Sequence, residues 1–166
     1  MPNSRIFNVL FLCTGNSARS IFAEAYTNAK HRDRFQAFSA GSHPKAEIHP
    51  LTLEYLKDVR IPTDGLRTKS WNEFAGPDAP VMDFVFTVCD QAAGEVCPVW
   101  PGQPITAHWG VPDPASIEGT PEVCRTAFHR SFLQLERRIS LFAALPIDSL
   151  DRMTLTKRVQ EIGRSN

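Results

Sequence analysis

Cys13 and Arg19 bracket five residues in the run Cys13-Thr14-Gly15-Asn16-Ser17-Ala18-Arg19, and Ser20 follows directly. Small and polar residues between a thiol and a guanidinium suit a tight turn whose backbone amides converge on an anion. Gly15 is expected to relax the turn so that successive N–H groups point inward as a nest. A helix beginning just behind it would add its partial positive charge, and Arg19 would add a planar, two-pronged donor. A loop running from Thr14 through Ser20 would then hold a tetrahedral dianion against the Cys13 sulfur. The same field is expected to depress the Cys13 pKa well below about 8.5, giving a thiolate nucleophile at neutral pH. Ser20 can donate a hydrogen bond to that sulfur, and Asn16 is expected to brace the loop.

Expelling an oxygen leaving group needs a proton donor nearby. Asp113 stands in Val111-Pro112-Asp113-Pro114-Ala115, where prolines restrict the backbone on both sides. A rigid carboxylate of this kind suits a general acid reaching over a pocket. It equally suits an ordinary turn aspartate, and spacing alone leaves both open. The other three cysteines are Cys89, Cys97 and Cys124. None of the four cysteines forms a C-x-x-C pair, and no pair of histidines is placed to complete a zinc site. Cys124 lies in a helical stretch and is expected to be a small buried hydrophobe.

The elements that must position these groups alternate. Residues 8–12 (NVLFL) form a continuous apolar run, as in a strand buried on both faces of a parallel sheet. Ser17 is expected to cap a helix burying Ile21, Phe22, Ala25 and Ala29. A second strand fits residues 35–40, ending at Gly41. Pro50 starts a helix with Leu53 and Leu56 on one face, and a weaker helix follows Ser70 and stops before Gly76-Pro77. Residues 83–88 read as a third buried strand, residues 89–103 as a loop after a short alanine-containing turn, and residues 105–109 as a fourth strand. Thr120-Pro121-Glu122 starts a helix whose core stripe is Phe128, Phe132, Leu135, Ile139 and Phe142, stopped by Pro146. A last amphipathic helix uses Leu155, Val159 and Ile162 and is closed by Gly163. Strands alternating with helices imply a parallel, right-handed, doubly wound α/β sheet. Ligands collect at the carboxyl ends of such strands, and Cys13 and Cys89 both stand there.

Bulk properties narrow the function. The 166 residues suit one core-bearing unit, and 42% hydrophobic with 22% charged residues fits a soluble globular protein. Eighteen basic residues balance eighteen acidic ones, so no global field favours nucleic acid or an anionic membrane. The start of the chain lacks a signal-peptide pattern, and no stretch approaches the roughly 20 apolar residues that span a bilayer. A cytoplasmic location is the expectation. Trp71, Trp100 and Trp109 are expected in the core or at its rim, His49 as a cap or surface group, and His108 near the active site.

The run Val9-Leu10-Phe11-Leu12-Cys13-Thr14-Gly15-Asn16-Ser17-Ala18-Arg19-Ser20, with the late Asp113-Pro114, resembles the low-molecular-weight tyrosine phosphatase superfamily. Within it, the chain is most similar to the arsenate reductases, through Phe38-Ser39-Ala40-Gly41, Phe86-Thr87-Val88-Cys89-Asp90 leading to Cys97-Pro98, and His108-Trp109-Gly110-Val111-Pro112-Asp113-Pro114-Ala115. The resemblance implies a flavodoxin-like three-layer α/β sandwich with a four-stranded parallel sheet in the order 2-1-3-4, here with an extra C-terminal helix. Residues 1–146 would form the catalytic domain, and residues 147–166 a helical extension of it.

By the same resemblance, Cys13 is the nucleophile, Arg19 and the loop amides hold the oxyanion, and Asp113 is the general acid. Cys89 would resolve the arsenic adduct on Cys13 and Cys97 would then pair with Cys89, as thiol exchange permits where sulfurs can meet. An external thiol, thioredoxin or a low-molecular-weight one, would restore the enzyme, and no tightly bound cofactor is implied. A potassium site would map to Asn16, Glu24, Ser39 and Thr68, with Ser70 where aspartate is usual. Two alternatives accompany arsenate reduction. If Cys89 and Cys97 are inert, the chain is a phosphatase hydrolysing phosphomonoesters through a Cys13 phosphocysteine. The other is a non-catalytic oxyanion-binding or regulatory domain.

Overall fold

The computed structural model describes residues 5–89 and 100–165. Four parallel strands, β1 (Phe7–Cys13), β2 (Phe35–Gly41), β3 (Phe84–Thr87) and β4 (Ile105–His108), form one sheet in the order β2-β1-β3-β4. Among the described residues, four α-helices accompany them: α1 (Arg19–Lys30), α2 (Pro50–Asp58), α3 (Pro121–Ala143) and α4 (Arg152–Gly163). The expected strand order, the parallel pairing and the extra C-terminal helix are all present.

Period-two alternation divides the central strand between two apolar layers. Val9, Phe11 and Cys13 face the larger cluster, built with Phe22 of α1, Leu56 of α2 and the α3 stripe. Leu10 and Leu12 face a smaller one with Trp71, Phe74, Met82 and Val85. The continuous apolar run of β1 is thus explained by burial on both faces. All five expected stripe residues of α3 are buried, and Phe142 stacks on Phe35 with ring centroids 4.7 Å apart. Thr120 caps α3 by accepting the Val123 N–H, and Pro121 fills its first position. At its other end Arg34 donates to the carbonyls of Ala143 and Leu145.

Several local expectations need correction. Ser17 does not cap α1: the N-cap is Ala18, without a side-chain bond. The Ser17 carbonyl instead accepts from the His49 N–H (3.0 Å) and the Thr52 hydroxyl (2.9 Å). In α2, Thr52 and Leu56 are the buried pair, while Leu53 is only half-buried. The turn after Ser70 is a single 3₁₀ segment, Trp71–Phe74, capped by Ser70. Cys124 is half-exposed rather than buried, because it lies in the first turn of α3, before the core stripe begins.

Gly163 is no left-handed cap. It is the last residue of α4, and a Cβ there would stand 2.1 Å from the His108 carbonyl oxygen. It is glycine because helix and strand approach so closely. Leu155, Val159 and Ile162 of α4 join the larger cluster. Trp109, fully buried and stacked on Phe86 (3.9 Å), donates its indole N–H to the Val159 carbonyl at 2.9 Å.

Candidate active site

Residue 13 ends β1 and residue 19 opens α1, so five residues turn at the carboxyl edge of the sheet. The segment following β2 fixes this turn. The carbonyls of Cys13, Thr14, Gly15 and Ser17 accept from the N–H groups of Ser42, His43, Lys45 and His49. A trans peptide places its C=O and the next N–H on opposite sides. Carbonyls drawn toward residues 42–49 therefore leave the intervening amides facing the other way, which is the condition for a nest. Gly41 lets this happen, because a Cβ there would lie 2.4 Å from the Thr14 oxygen.

The strained position in the loop is Asn16, with φ of 48°, and not Gly15, which avoids positive φ. Asparagine tolerates the left-handed region better than other side chains, and here its amide is fully engaged. Asn16 Nδ2 donates to Ser20 Oγ (2.8 Å) and Ser39 Oγ (3.0 Å), and Oδ1 accepts from the Lys69 N–H (2.9 Å). Asn16 thus braces the loop, as its place in the sequence led us to expect.

Cys13 is 2% exposed, and its sulfur lies 2.8 Å from Ser20 Oγ and accepts from the Asn16 backbone N–H at 3.2 Å. Burial pushes this thiol up from its ordinary value. The hydrogen bonds from Ser20 and the charge of Arg19 pull it down, while a negative charge on Cys89 would raise it further. This direction reverses the expected depression. The physical reason is complete desolvation of the sulfur, combined with an Arg19 guanidinium committed elsewhere. Arg19 Nη1 donates to the Val111 carbonyl (3.0 Å), and Nη2 lies 3.8 Å from Asp113 Oδ2.

Arg19 therefore links the Cys13 loop to the segment carrying Asp113. That carboxylate does two things. Oδ1 accepts the Ala115 N–H (3.0 Å) and caps the 3₁₀ segment Pro114–Ser116, while Oδ2 faces Arg19. The turn role and the proximity to the Cys13 loop are both real. Behind this segment Arg138 donates to the Gly110 and Ser165 carbonyls, tying it to α3 and to the end of α4.

Cys89 follows β3, the neighbour of β1, and is 2% exposed. Its sulfur lies 3.4 Å from the Thr14 hydroxyl in the Cys13 loop. Cys97 lies outside the described residues. Trp71 is in the core and Trp100 packs edge-on against it. His49 caps α2 through Nδ1, an acceptor role that fits a neutral ring whose pKa burial and Lys45 both lower. His108 is bonded to Thr87 Oγ1 (2.8 Å) at the end of β4.

Beneath the loop lies a polar cluster that the sequence reading passed over in part. Glu24, Ser39 and Asn16 meet there, as the resemblance proposed, but the Lys69 ammonium is among them. Nζ donates to the Arg67 carbonyl (2.7 Å) and Ser39 Oγ (3.5 Å) and lies 3.7 Å from Glu24 Oε1. Burial pushes the Glu24 carboxyl up and the Lys69 ammonium down, and each partner's charge opposes the other's shift. A lysine next to a serine and a threonine in a polar loop carries no sequence signal for this burial. Among the described residues, no group of three or more His, Cys, Asp or Glu is placed to hold a metal ion, and no helix is long and apolar enough to cross a membrane.

A parallel α/β sheet whose first strand ends on a buried cysteine, and whose next helix opens on an arginine, is the arrangement of a phosphatase-like class of proteins. The chain belongs to the low molecular weight phosphotyrosine protein phosphatase family, whose model matches residues 8–157. Its curated relatives include the arsenate reductase of Halalkalibacterium halodurans, 33% identical over 135 residues, which are 81% of this chain and 94% of that protein. The arsenate reductase of Bacillus licheniformis is 35% identical over 136 residues, with the same shares. Among solved structures, the chain is similar to an arsenate reductase in the phosphate binding state (TM-score 0.63, 25% identity, 81% of this chain and 98% of that one). It also resembles the thioredoxin-dependent arsenate reductase of Corynebacterium glutamicum (TM-score 0.54, 26% identity, 85% of this chain), of which it spans 65%. A low molecular weight protein tyrosine phosphatase from T. tengcongensis shares the fold (TM-score 0.62, 24% identity, 81% of this chain and 98% of that one). The kinship is with enzymes of both kinds.

Proposed function

We propose that the protein reduces arsenate to arsenite through a covalent adduct on Cys13. The observation that carries this reading is the place of Cys89: a buried cysteine at the end of the strand beside β1, its sulfur against Thr14 of the Cys13 loop. A simple hydrolase has no use for a second thiol there, and the curated relatives cited above are arsenate reductases.

The loop amides from Thr14 to Ser20 and the Arg19 guanidinium receive the tetrahedral oxyanion. Cys13 attacks arsenic as its thiolate, the bond from arsenic to a hydroxyl oxygen breaks, and that hydroxide takes a proton from Asp113 and leaves as water. Cys89 then attacks the Cys13 sulfur. The S–As bond breaks, its electron pair stays on arsenic, arsenic(V) becomes arsenic(III), and arsenite leaves as a Cys13–Cys89 disulfide forms. Cys97 attacks Cys89, freeing Cys13 and leaving a Cys89–Cys97 disulfide. An external dithiol such as thioredoxin, or a low-molecular-weight thiol, reduces that disulfide. No resident cofactor takes part, and the chemistry suits a cytoplasmic protein.

Phosphate and arsenate share charge and shape, so the first step also serves phosphomonoester hydrolysis, with water in place of Cys89. The family's name, that of a phosphotyrosine protein phosphatase, favours this second reading. Purified protein assayed side by side with arsenate plus thioredoxin and with p-nitrophenyl phosphate separates the two. Cys89→Ala should lose arsenate turnover and keep aryl phosphate hydrolysis. Arsenate turnover that survives in Cys89→Ala would remove the thiol relay.

A further inference from the structure

The cluster under the Cys13 loop holds a charged group that neither reaction uses. Lys69 is 8% exposed, and the Glu24 side chain beside it 14%. Burying a lone charge is costly, so each must be compensated. Around Nζ stand a carboxylate oxygen of Glu24, the Ser39 hydroxyl and the Arg67 carbonyl. These are the hard oxygen donors that hold a monovalent cation, and the cation among them is the lysine's own. A free potassium ion does not fit this arrangement. It would compete for oxygens already bound to the ammonium and would meet a like charge at close range in a desolvated site.

The cluster leads straight to the sulfur. The Ser39 hydroxyl donates to Glu24 (2.5 Å) and accepts from Asn16 Nδ2 (3.0 Å). Lys69 also holds Asn16 through its backbone N–H, and its carbonyl receives the Gly41 N–H at 2.9 Å. Asn16 in turn bonds Ser20 and, through its own N–H, Cys13. Its left-handed backbone needs such over-determination to persist.

We infer that Lys69 is a built-in monovalent cation, a positioning residue that holds the Cys13 loop through Ser39 and Asn16 and frees the protein from any need for potassium. The inference rests on the proposed role of Cys13 as nucleophile, and it holds for either fate of the adduct.

The test compares wild type, Lys69→Ala and Lys69→Gln in potassium, lithium or choline chloride at equal ionic strength. The readouts are Tm and the rate of Cys13 alkylation by iodoacetamide. Wild type should give the same Tm and rate in all three salts. Lys69→Ala, which opens a cavity beside Glu24, should lose roughly tenfold in alkylation rate in choline, as expected of a slightly misplaced loop. Potassium should restore its rate and Tm saturably, and lithium much less. Lys69→Gln fills the space without a charge and should be slow in every salt. Potassium-stimulated alkylation or a potassium-raised Tm in wild type overturns the inference, as does an unchanged rate in Lys69→Gln. Alkylation at Cys13 that leaves turnover intact would sink the nucleophile assignment instead, while the Tm comparison still decides the role of Lys69.

Discussion

Replacing Ser20 by alanine removes one hydroxyl from the closed network around the Cys13 sulfur. The direction of that bond is fixed by its neighbour. Asn16 Nδ2 donates to Ser20 Oγ at 2.8 Å, so the Ser20 proton is free to point at the sulfur, also 2.8 Å away. Both residues are buried, so water does not replace the lost donor. A hydrogen bond to a charged group contributes about 1.5–3 kcal/mol. Its loss should raise the Cys13 thiol further, beyond the rise that burial already causes. Alkylation at neutral pH should therefore slow by roughly 10- to 100-fold in Ser20→Ala. The rate should still climb with pH, its midpoint displaced to the alkaline side. Ser20→Thr keeps the hydroxyl and should stay near wild type. The assay is iodoacetamide modification followed by mass spectrometry across pH, with circular dichroism verifying the fold. A midpoint unmoved in Ser20→Ala would mean that the backbone N–H of Asn16 and Arg19 set the thiolate, and that the hydroxyl is incidental.

Asp113→Asn keeps the cap on Ala115 but removes the proton donor. It should slow adduct formation by about 10²–10⁴-fold while oxyanion affinity is retained. Single-turnover kinetics with p-nitrophenyl phosphate would show this, and an unchanged rate would place the acid elsewhere. Gly163→Ala sets a methyl against the His108 carbonyl and should cost about 1–3 kcal/mol in urea unfolding, or more if α4 is forced from β4. Trp109→Ala removes a fully buried indole and its bond to α4. It should cost about 3–5 kcal/mol, read as a lowered urea midpoint.

The sequence alone set the elements and their alternation because those signals are local, whereas the strand order 2-1-3-4 entered only through the family resemblance. The apolar run of β1, Pro50 and Pro121 at helix starts, and the stripe from Phe128 to Phe142 each follow from strand or helix periodicity acting over a few residues. The turn from Cys13 to Arg19 was equally legible, since a strand end and a helix start five residues apart leave little choice of path. The tertiary structure alone decided what depends on partners distant in the chain. Gly15 attracted notice as the flexible residue, yet Asn16 takes the left-handed backbone, because Ser20, Ser39 and Lys69 converge to hold its amide. Field-donating neighbours suggested a depressed Cys13 thiol. Burial reverses the sign, and desolvation is a property of the packed core that no motif carries. Lys69 was invisible for the same reason: a lysine becomes an internal cation only when a carboxylate from α1, a hydroxyl from β2 and a loop carbonyl close around it.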